Sequence, residues 1–234
     1  MSNRPVLALV PAWNEAAYVR PVLEGTLAFL PTLLVDDGST DDTAVIARAA
    51  GAVVISHPQN QGKGAALMTG FGWALEQGYE AVLTLDADGQ HDPVEISEFL
   101  AAYEADAGEL IIGRRDFGQM PFVRRCVNPF GSWLLSLALG TRIYDNQSGY
   151  RLYTRALLEI LDPPSTGFEL EVEAVVQAVY AGMRIGWVDI RTIYGTGKAS
   201  YFRPVRDSAL FLRTVWRAHR QRAKGRSVGG DRTG

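Results

Sequence analysis

Short apolar runs rich in β-branched residues alternate, through the first half of the chain, with longer segments of helical period. This alternation restricts the fold more than any other feature, because it is the pattern of βαβ units wound around a mostly parallel sheet. It predicts strands at Val6 to Ala12, Thr32 to Asp37, Val53 to His57, Ala81 to Asp86 and Leu110 to Arg114. Helices are expected between them at roughly 15 to 29, 41 to 50, 62 to 77 and 93 to 105, with Gly51 and Gly78 as C-terminal stops. After Arg115 the alternation breaks. Asn128-Pro129 and the apolar run to Gly140 read as N-cap, first-turn proline, helix and terminating glycine, the helix being either a core element or one lying at a membrane surface. Further on, a helix is expected from Glu169 to Ala181, a strand pair over Arg184 to Tyr194 and a helix over Val205 to Arg217.

A chain of 234 residues, 47% hydrophobic, is enough for one α/β domain with one large core. The domain is expected to span residues 1–217, followed by a basic tail at 218–234. The single cysteine, Cys126, excludes an internal disulfide and a thiolate metal cluster. With no signal-peptide pattern at the start, the sequence points to the cytoplasm. The greasiest stretch, Trp133 to Leu139 with its neighbours, is far short of the roughly 20 residues needed to span a bilayer. Net charge is −3, from 23 basic and 26 acidic residues. Residues 198 to 234 hold 10 of the basic and 2 of the acidic ones, leaving 13 and 24, so the tail is +8 and the body −11. Such a tail suits an anionic surface, although a solvated charged end is the plainer alternative.

In open parallel sheets, ligands sit beyond the carboxyl ends of the strands. Here those ends are acidic: Glu15 follows the first strand, Asp36-Asp37 end the second, and Asp86-Ala87-Asp88 follow the fourth. Converging carboxylates repel unless a cation or ligand donors lie between them. Asp86 and Asp88, two apart, face one side if the strand stays extended, with Ala87 pointing away, and can reach one hard cation, Mg2+ or Mn2+. Ser39 or Thr40 is expected to cap the second helix, leaving one of the adjacent acids to accept bonds from a ribose or base. Gln61-Gly62-Lys63-Gly64, opening a helix after a strand, offers backbone donors and one cation to phosphate.

Pro11-Ala12-Trp13-Asn14-Glu15, Val35-Asp36-Asp37-Gly38-Ser39-Thr40-Asp41, Gln61-Gly62-Lys63-Gly64-Ala65 and Leu85-Asp86-Ala87-Asp88-Gly89-Gln90-His91-Asp92-Pro93 resemble the ordered motifs of family 2 glycosyltransferases. The resemblance continues through Gly113-Arg114-Arg115, Asp145 to Arg151, Phe168 to Glu171 and Tyr194 to Asp207, and is nearest to the dolichol-phosphate mannose synthase branch. It implies a GT-A fold and an inverting enzyme that moves a sugar from a nucleotide-diphosphate donor, of GDP-mannose or UDP-glucose type, to a polyprenyl phosphate. It further implies that Pro11, Trp13, Glu15 and Asp37 meet the nucleoside, that Asp86 and Asp88 hold the metal with Ala87 between them in the donor site, and that Arg114 meets the phosphates. Lys63 is expected on the donor side as well. Trp13 departs from the family's usual tyrosine. Lys198 and Ser200 lie in a late Gly-Lys-x-Ser segment that in relatives closes over the phosphates, here followed by Tyr201 where a basic residue is frequent.

For a hydroxyl acceptor, Glu171 is the candidate general base, standing beside Glu169 and Glu173 at a helix start where acids also suit the helix dipole. A phosphate acceptor, with a second pKa near 6, is already ionised at neutral pH and needs no strong base. The rival readings are transfer to a soluble or glycan hydroxyl, a nucleotidyltransferase, and a non-catalytic sugar-nucleotide binder; nucleic acid is not expected as a partner. The tail generates a prediction of its own. Deleting residues 218–234 removes Arg220, Arg222, Lys224, Arg226 and Arg232 against Asp231, each basic residue being worth about 1 kcal/mol at an anionic surface. Co-sedimentation with anionic liposomes should fall and lose salt sensitivity, while transfer to a soluble acceptor analogue is spared; identical salt curves would refute the assignment.

Overall fold

The computed structural model describes residues 5–115, 122–162 and 169–191, the side chains of 122–130 and 169 excepted. Lys198, Ser200, the helix expected over Val205 to Arg217 and the basic tail lie outside the described residues. Seven strands, β1 (Val6–Ala12), β2 (Thr32–Asp36), β3 (Val53–Ser56), β4 (Ala81–Thr84), β5 (Leu110–Arg115), β6 (Arg151–Thr154) and β7 (Ile185–Ile190), form one sheet in the order β3-β2-β1-β4-β6-β5-β7. All neighbours pair in parallel except β6, which runs antiparallel to both β4 and β5. Two reversals restore direction, so β5 and β7 point the same way as β1 to β4. Their carboxyl ends, and the amino end of β6, therefore share one edge.

Around the sheet lie α1 (Val19–Leu27), α2 (Thr43–Ala49), α3 (Lys63–Glu76), a 3-10 turn (Pro93–Glu95) continued by α4 (Ile96–Glu104), α5 (Phe122–Leu139), α6 (Arg155–Leu158) and α7 (Glu169–Tyr180). Successive strand side chains point to opposite faces, so β1 sends Leu7 and Leu9 to one core and Val6, Ala8 and Val10 to the other. The first core packs against α3, α5 and α7 through Leu67, Phe71, Leu135 and Val175; the second packs against α1, α2 and α4 through Leu23, Ala47 and Phe99. The result is an α/β/α layering with both faces of the sheet covered, which is why the strands read as continuous apolar runs. Gly51 and Gly78 stop α2 and α3 as expected. Both have positive φ, 97° and 80°, and the amides after them reach back to Ala47 and Ala74, the bonding that closes a helix end with a left-handed residue.

The structure differs from the sequence reading in four places. Strands β2 to β4 end one or two residues early, where the chain turns into the loops at the carboxyl edge. The helix expected to begin at Asn128 begins at Phe122, so Pro129 stands inside α5, where proline supplies no N–H to the helix ladder. On α5, Ser132, Leu135, Ala138 and Leu139 are buried while Trp133 and Leu137 are 58% and 63% exposed, so it is a core helix with an apolar outer side. Residues 184–191 hold one strand, β7, in place of the first half of a pair, and β6 was not expected at all.

Strand β6 escaped notice because it is only four residues long and opens with Arg151, a charged residue that is 0% exposed. The guanidinium donates to three backbone carbonyls, Nε to Ser148 at 2.6 Å, Nη2 to Asn146 at 2.9 Å and Nη1 to Glu171 at 2.5 Å. It therefore ties the loop before β6 to α7. Arg151→Ala would leave three buried carbonyls without a donor, at about 1 to 3 kcal/mol each. The expected outcome is a loss of about 3 kcal/mol or more in urea denaturation, with Arg151→Lys recovering only part because an ammonium lacks the planar fork. Wild-type stability in the alanine variant would overturn the assignment.

Candidate active site

The loop after β1 is laced to the loop after β2. Asn14, at φ 55°, accepts from the Thr40 amide at 2.8 Å and donates its own amide to Ser39 Oγ at 2.9 Å, while the Glu15 amide donates to Thr43 Oγ1 at 2.8 Å. Asparagine is among the few residues that tolerate this left-handed backbone. Ser39 and Thr40 thus bind the neighbouring loop rather than cap α2, and the Thr43 amide at the start of that helix is taken by Asp41 at 3.0 Å. Of the residues expected at the nucleoside, Pro11 is buried in β1 opposite Val35 and Glu15 is buried, while Trp13 is 37% exposed at the strand end.

Asp37 lies at the end of β2 with its carboxylate turned into the fold. It accepts the amides of Gln61 at 2.9 Å and Gly62 at 2.7 Å, and its Oδ1 is 2.8 Å from His57 Nδ1. His57 Nε2 lies 3.0 Å from Thr69 Oγ1 on α3. The carboxylate therefore holds the turn that delivers Lys63. His57 was not singled out in the sequence; it stands at the end of an edge strand, where its signal was only its place opposite the acidic pair.

At the end of β4 the backbone turns, and Asp86 to Asp88 lie beyond the strand. The alternation nevertheless persists, with Ala87 2% exposed and both aspartates partly exposed. Lys63 Nζ lies 2.6 Å from Asp86 Oδ1 and 2.9 Å from Glu171 Oε1, so α3, the β4 end and α7 meet at one ammonium. Burial opposes the charge on Lys63, but Asp86 and Glu171 together outweigh it and hold the ammonium above its ordinary value. Burial likewise opposes the charge on Asp86, and Lys63 and His91 outweigh it and lower its carboxyl. Asp88 is raised by burial and by the Asp86 charge, even though it accepts from the Gln90 amide at 3.0 Å and from Gln90 Nε2 at 2.9 Å. His91, buried and lowered chiefly by that burial, accepts the Asp86 amide on Nδ1 at 3.1 Å and stacks on Tyr150. Its proton is then on Nε2.

The two arginines that end β5 diverge, as neighbours on a strand must. Arg114 makes a bidentate pair with Asp189 at 2.6 and 2.9 Å and lies over the Tyr144 ring, 5.0 Å from its centre. Arg115 pairs with buried Asp145 at 2.7 and 2.9 Å, and it is Arg115 whose charge is felt at Asp86 and His91. Thus Lys63, Asp86, Asp88 and Glu171 come together, while Arg115 stands against Asp145 and Arg114 against Asp189. Among the described residues no group of three or more His, Cys, Asp or Glu side chains is arranged to hold a metal. Asp86 and Asp88 alone offer hard oxygen donors whose mutual repulsion a divalent cation would relieve, its other ligands coming from phosphate and water. The donor set fits Mg2+ or Mn2+ in that form.

Asp37→Asn would set an amide N–H2 against either the Gln61 or the Gly62 donor, because those two amides reach different oxygens of Asp37. The expected cost is about 2 kcal/mol in chemical denaturation, in the range for an unsatisfied buried donor. An unchanged midpoint would show that the clamp contributes nothing to the fold.

Over 201 to 220 aligned residues the chain is similar to a polyprenol monophosphomannose synthase of Mycolicibacterium smegmatis, an undecaprenyl-phosphate mannosyltransferase of Micrococcus luteus and a UDP-N-acetylglucosamine–dolichyl-phosphate N-acetylglucosaminyltransferase of Methanococcus voltae. Identities are 31%, 31% and 29%, covering 79%, 79% and 83% of this chain and 76%, 82% and 88% of the relatives. In fold, it is similar to glucosyl-3-phosphoglycerate synthase from Mycobacterium tuberculosis, in complex with Mn2+, UDP and glucosyl-3-phosphoglycerate, with a TM-score of 0.72 at 23% identity over 93% of this chain and 79% of that one. These neighbours share the GT-A architecture. The family model of glycosyl transferase family 2 matches residues 8–161, and the chain belongs to that family of glycosyltransferases.

Proposed function

We propose that the protein moves a sugar from a nucleotide-diphosphate donor to a polyprenyl phosphate, with inversion at the anomeric carbon, at the cytoplasmic face of a membrane. The observation that carries this reading is the Asp86-Asp88 pair at the carboxyl edge of the sheet, with the ammonium of Lys63 on Asp86. Two carboxylates with an adjacent cation suit a metal-bound diphosphate, which must be neutralised as it departs. Asp86 and Asp88 would hold Mg2+ or Mn2+, which supplies charge to the leaving diphosphate. Trp13 is exposed beside the β1 end and presents an indole face for the base. Pro11, Glu15 and Asp37 shape that wall, with Asp37 acting also through the turn it clamps. Arg114 and Lys198 are proposed to meet the phosphates, Arg114 by exchanging Asp189 for them.

The acceptor is argued from Glu171. Glu171 is 6% exposed and its carboxylate is held by Lys63, a poor arrangement for taking a proton from a hydroxyl. A phosphate acceptor arrives ionised and needs no such base, and the relatives are named for polyprenyl or dolichyl phosphates. No helix among the described residues is long and apolar enough to cross a membrane. Peripheral contact is proposed through the outer side of α5, where Trp133 and Leu137 are exposed, together with Arg124, Arg125 and the basic tail.

Incubation with a panel of nucleotide sugars and a short polyprenyl phosphate, with Mn2+ or EDTA, tests donor, acceptor and metal together. Sugar transfer that EDTA abolishes is expected; pyrophosphate release or the absence of any transfer would refute the reading. Asp88→Asn should abolish turnover and leave the denaturation midpoint unchanged or slightly raised, because it removes a ligand charge that Asp86 repels. Retained activity at ordinary Mn2+ concentration would refute the metal assignment.

A further inference from the structure

Lys63 occupies Asp86 in a way that bears on how a cation can enter. An ammonium 2.6 Å from Oδ1 takes up one lone-pair direction of that carboxylate. Its charge also stands within a few ångströms of any ion that Asp86 would bind. Retreat is blocked on one side by Gly149, where a Cβ would lie 2.8 Å from Asp86 Oδ2 and 2.9 Å from Lys63 Nζ. The Gly149 carbonyl is itself fixed by the Thr84 hydroxyl at 2.8 Å. Glu171, held at its backbone by Arg151, anchors the ammonium from the far side. Asp86 is thus neutralised by its own chain.

We propose that Lys63 is a built-in competitor of the divalent cation for Asp86, and that a nucleoside diphosphate admits the cation by drawing the ammonium onto a phosphate oxygen. The proposal rests on the donor and metal reading above and adds an order to it. Lys63 is a positioning residue with two sets of partners, Asp86 and Glu171 before the diphosphate arrives, Glu171 and phosphate after. Cation and diphosphate then strengthen one another's binding by the same factor, since coupling between two ligands is reciprocal. Part of that factor comes from releasing Lys63.

The experiment measures Mn2+ affinity of the full chain by the EPR signal of the free ion, without nucleotide and with GDP or UDP. The informative variant is Lys63→Met with Glu171→Gln, which removes one positive and one negative charge together and so leaves the site's net charge unchanged. Competition predicts that it binds Mn2+ alone about tenfold more tightly than wild type, and that GDP or UDP tightens its Mn2+ binding by a smaller factor. Lys63→Arg, which keeps the competitor, should stay near wild type. A double variant that binds Mn2+ no more tightly than wild type overturns the proposal while leaving the metal reading intact. Wild type that binds no Mn2+ even with GDP or UDP overturns both. Should near-ultraviolet circular dichroism show the double variant unfolded, Lys63→Gln is judged by the same criterion.

Discussion

A buried ammonium needs carboxylates, and in this protein they come from two other elements. Lys63 opens α3, Asp86 follows β4 and Glu171 belongs to the first turn of α7, so one charge fixes the relative placement of a helix from each half of the chain and the central strand between them. Removing a single partner of such a set leaves an uncompensated buried charge, a loss of several kcal/mol in comparable proteins. Other features serve that meeting point. Asp37 and His57 set the turn ahead of Lys63, Arg151 holds the backbone of Glu171, and Thr84 and Gly149 close the space behind Asp86. Glu171 lies 85 residues beyond Asp86 in sequence, and the Lys63 ammonium holds the two carboxylates at one edge.

Much of this edge was legible in the sequence, for a physical reason. Strands covered on both faces must be apolar, so the acidic residues that interrupt them mark where each strand leaves the core, and a parallel sheet gathers those points on one side. Asp37, Asp86 and Asp88 were found in this way. Their division of labour was not. Whether an aspartate at a strand end faces a ligand or its own chain depends on which amides the next loop presents, and Asp37 meets two of them, from a turn 24 and 25 residues away. The same ambiguity misplaced Ser39, a good cap by residue type that is drawn instead to the Asn14 amide.

Arg114 and Arg115 show a limit of a different kind. Motif resemblance selects the pair, but strand alternation sends the two in opposite directions, and only the partners decide which faces the carboxylates. Asp145 takes Arg115 and Asp189 takes Arg114, the second of these 75 residues from its partner. Strand β6 was hidden because its opening residue contradicts the rule used to find strands. A fully buried arginine is stable there only because three carbonyls, from Asn146, Ser148 and Glu171, are aimed at it, and no local pattern announces carbonyls.

The reversed strand also bears on the order in which the chain can be assembled during synthesis. Strands β1 to β4 pair among themselves as they leave the ribosome, but β5 has no partner among them, because its place is on the far side of β6. The β5 and β7 pair joins the rest of the sheet only through the four residues Arg151 to Thr154. Until those residues are seated, β5 exposes both of its edges, the condition in which apolar strands pair with the wrong chain. Seating β6, with the guanidinium of Arg151 buried, is thus what joins β5 to the strands already paired, and a nascent chain stalled before it would carry a hydrophobic strand in need of a chaperone.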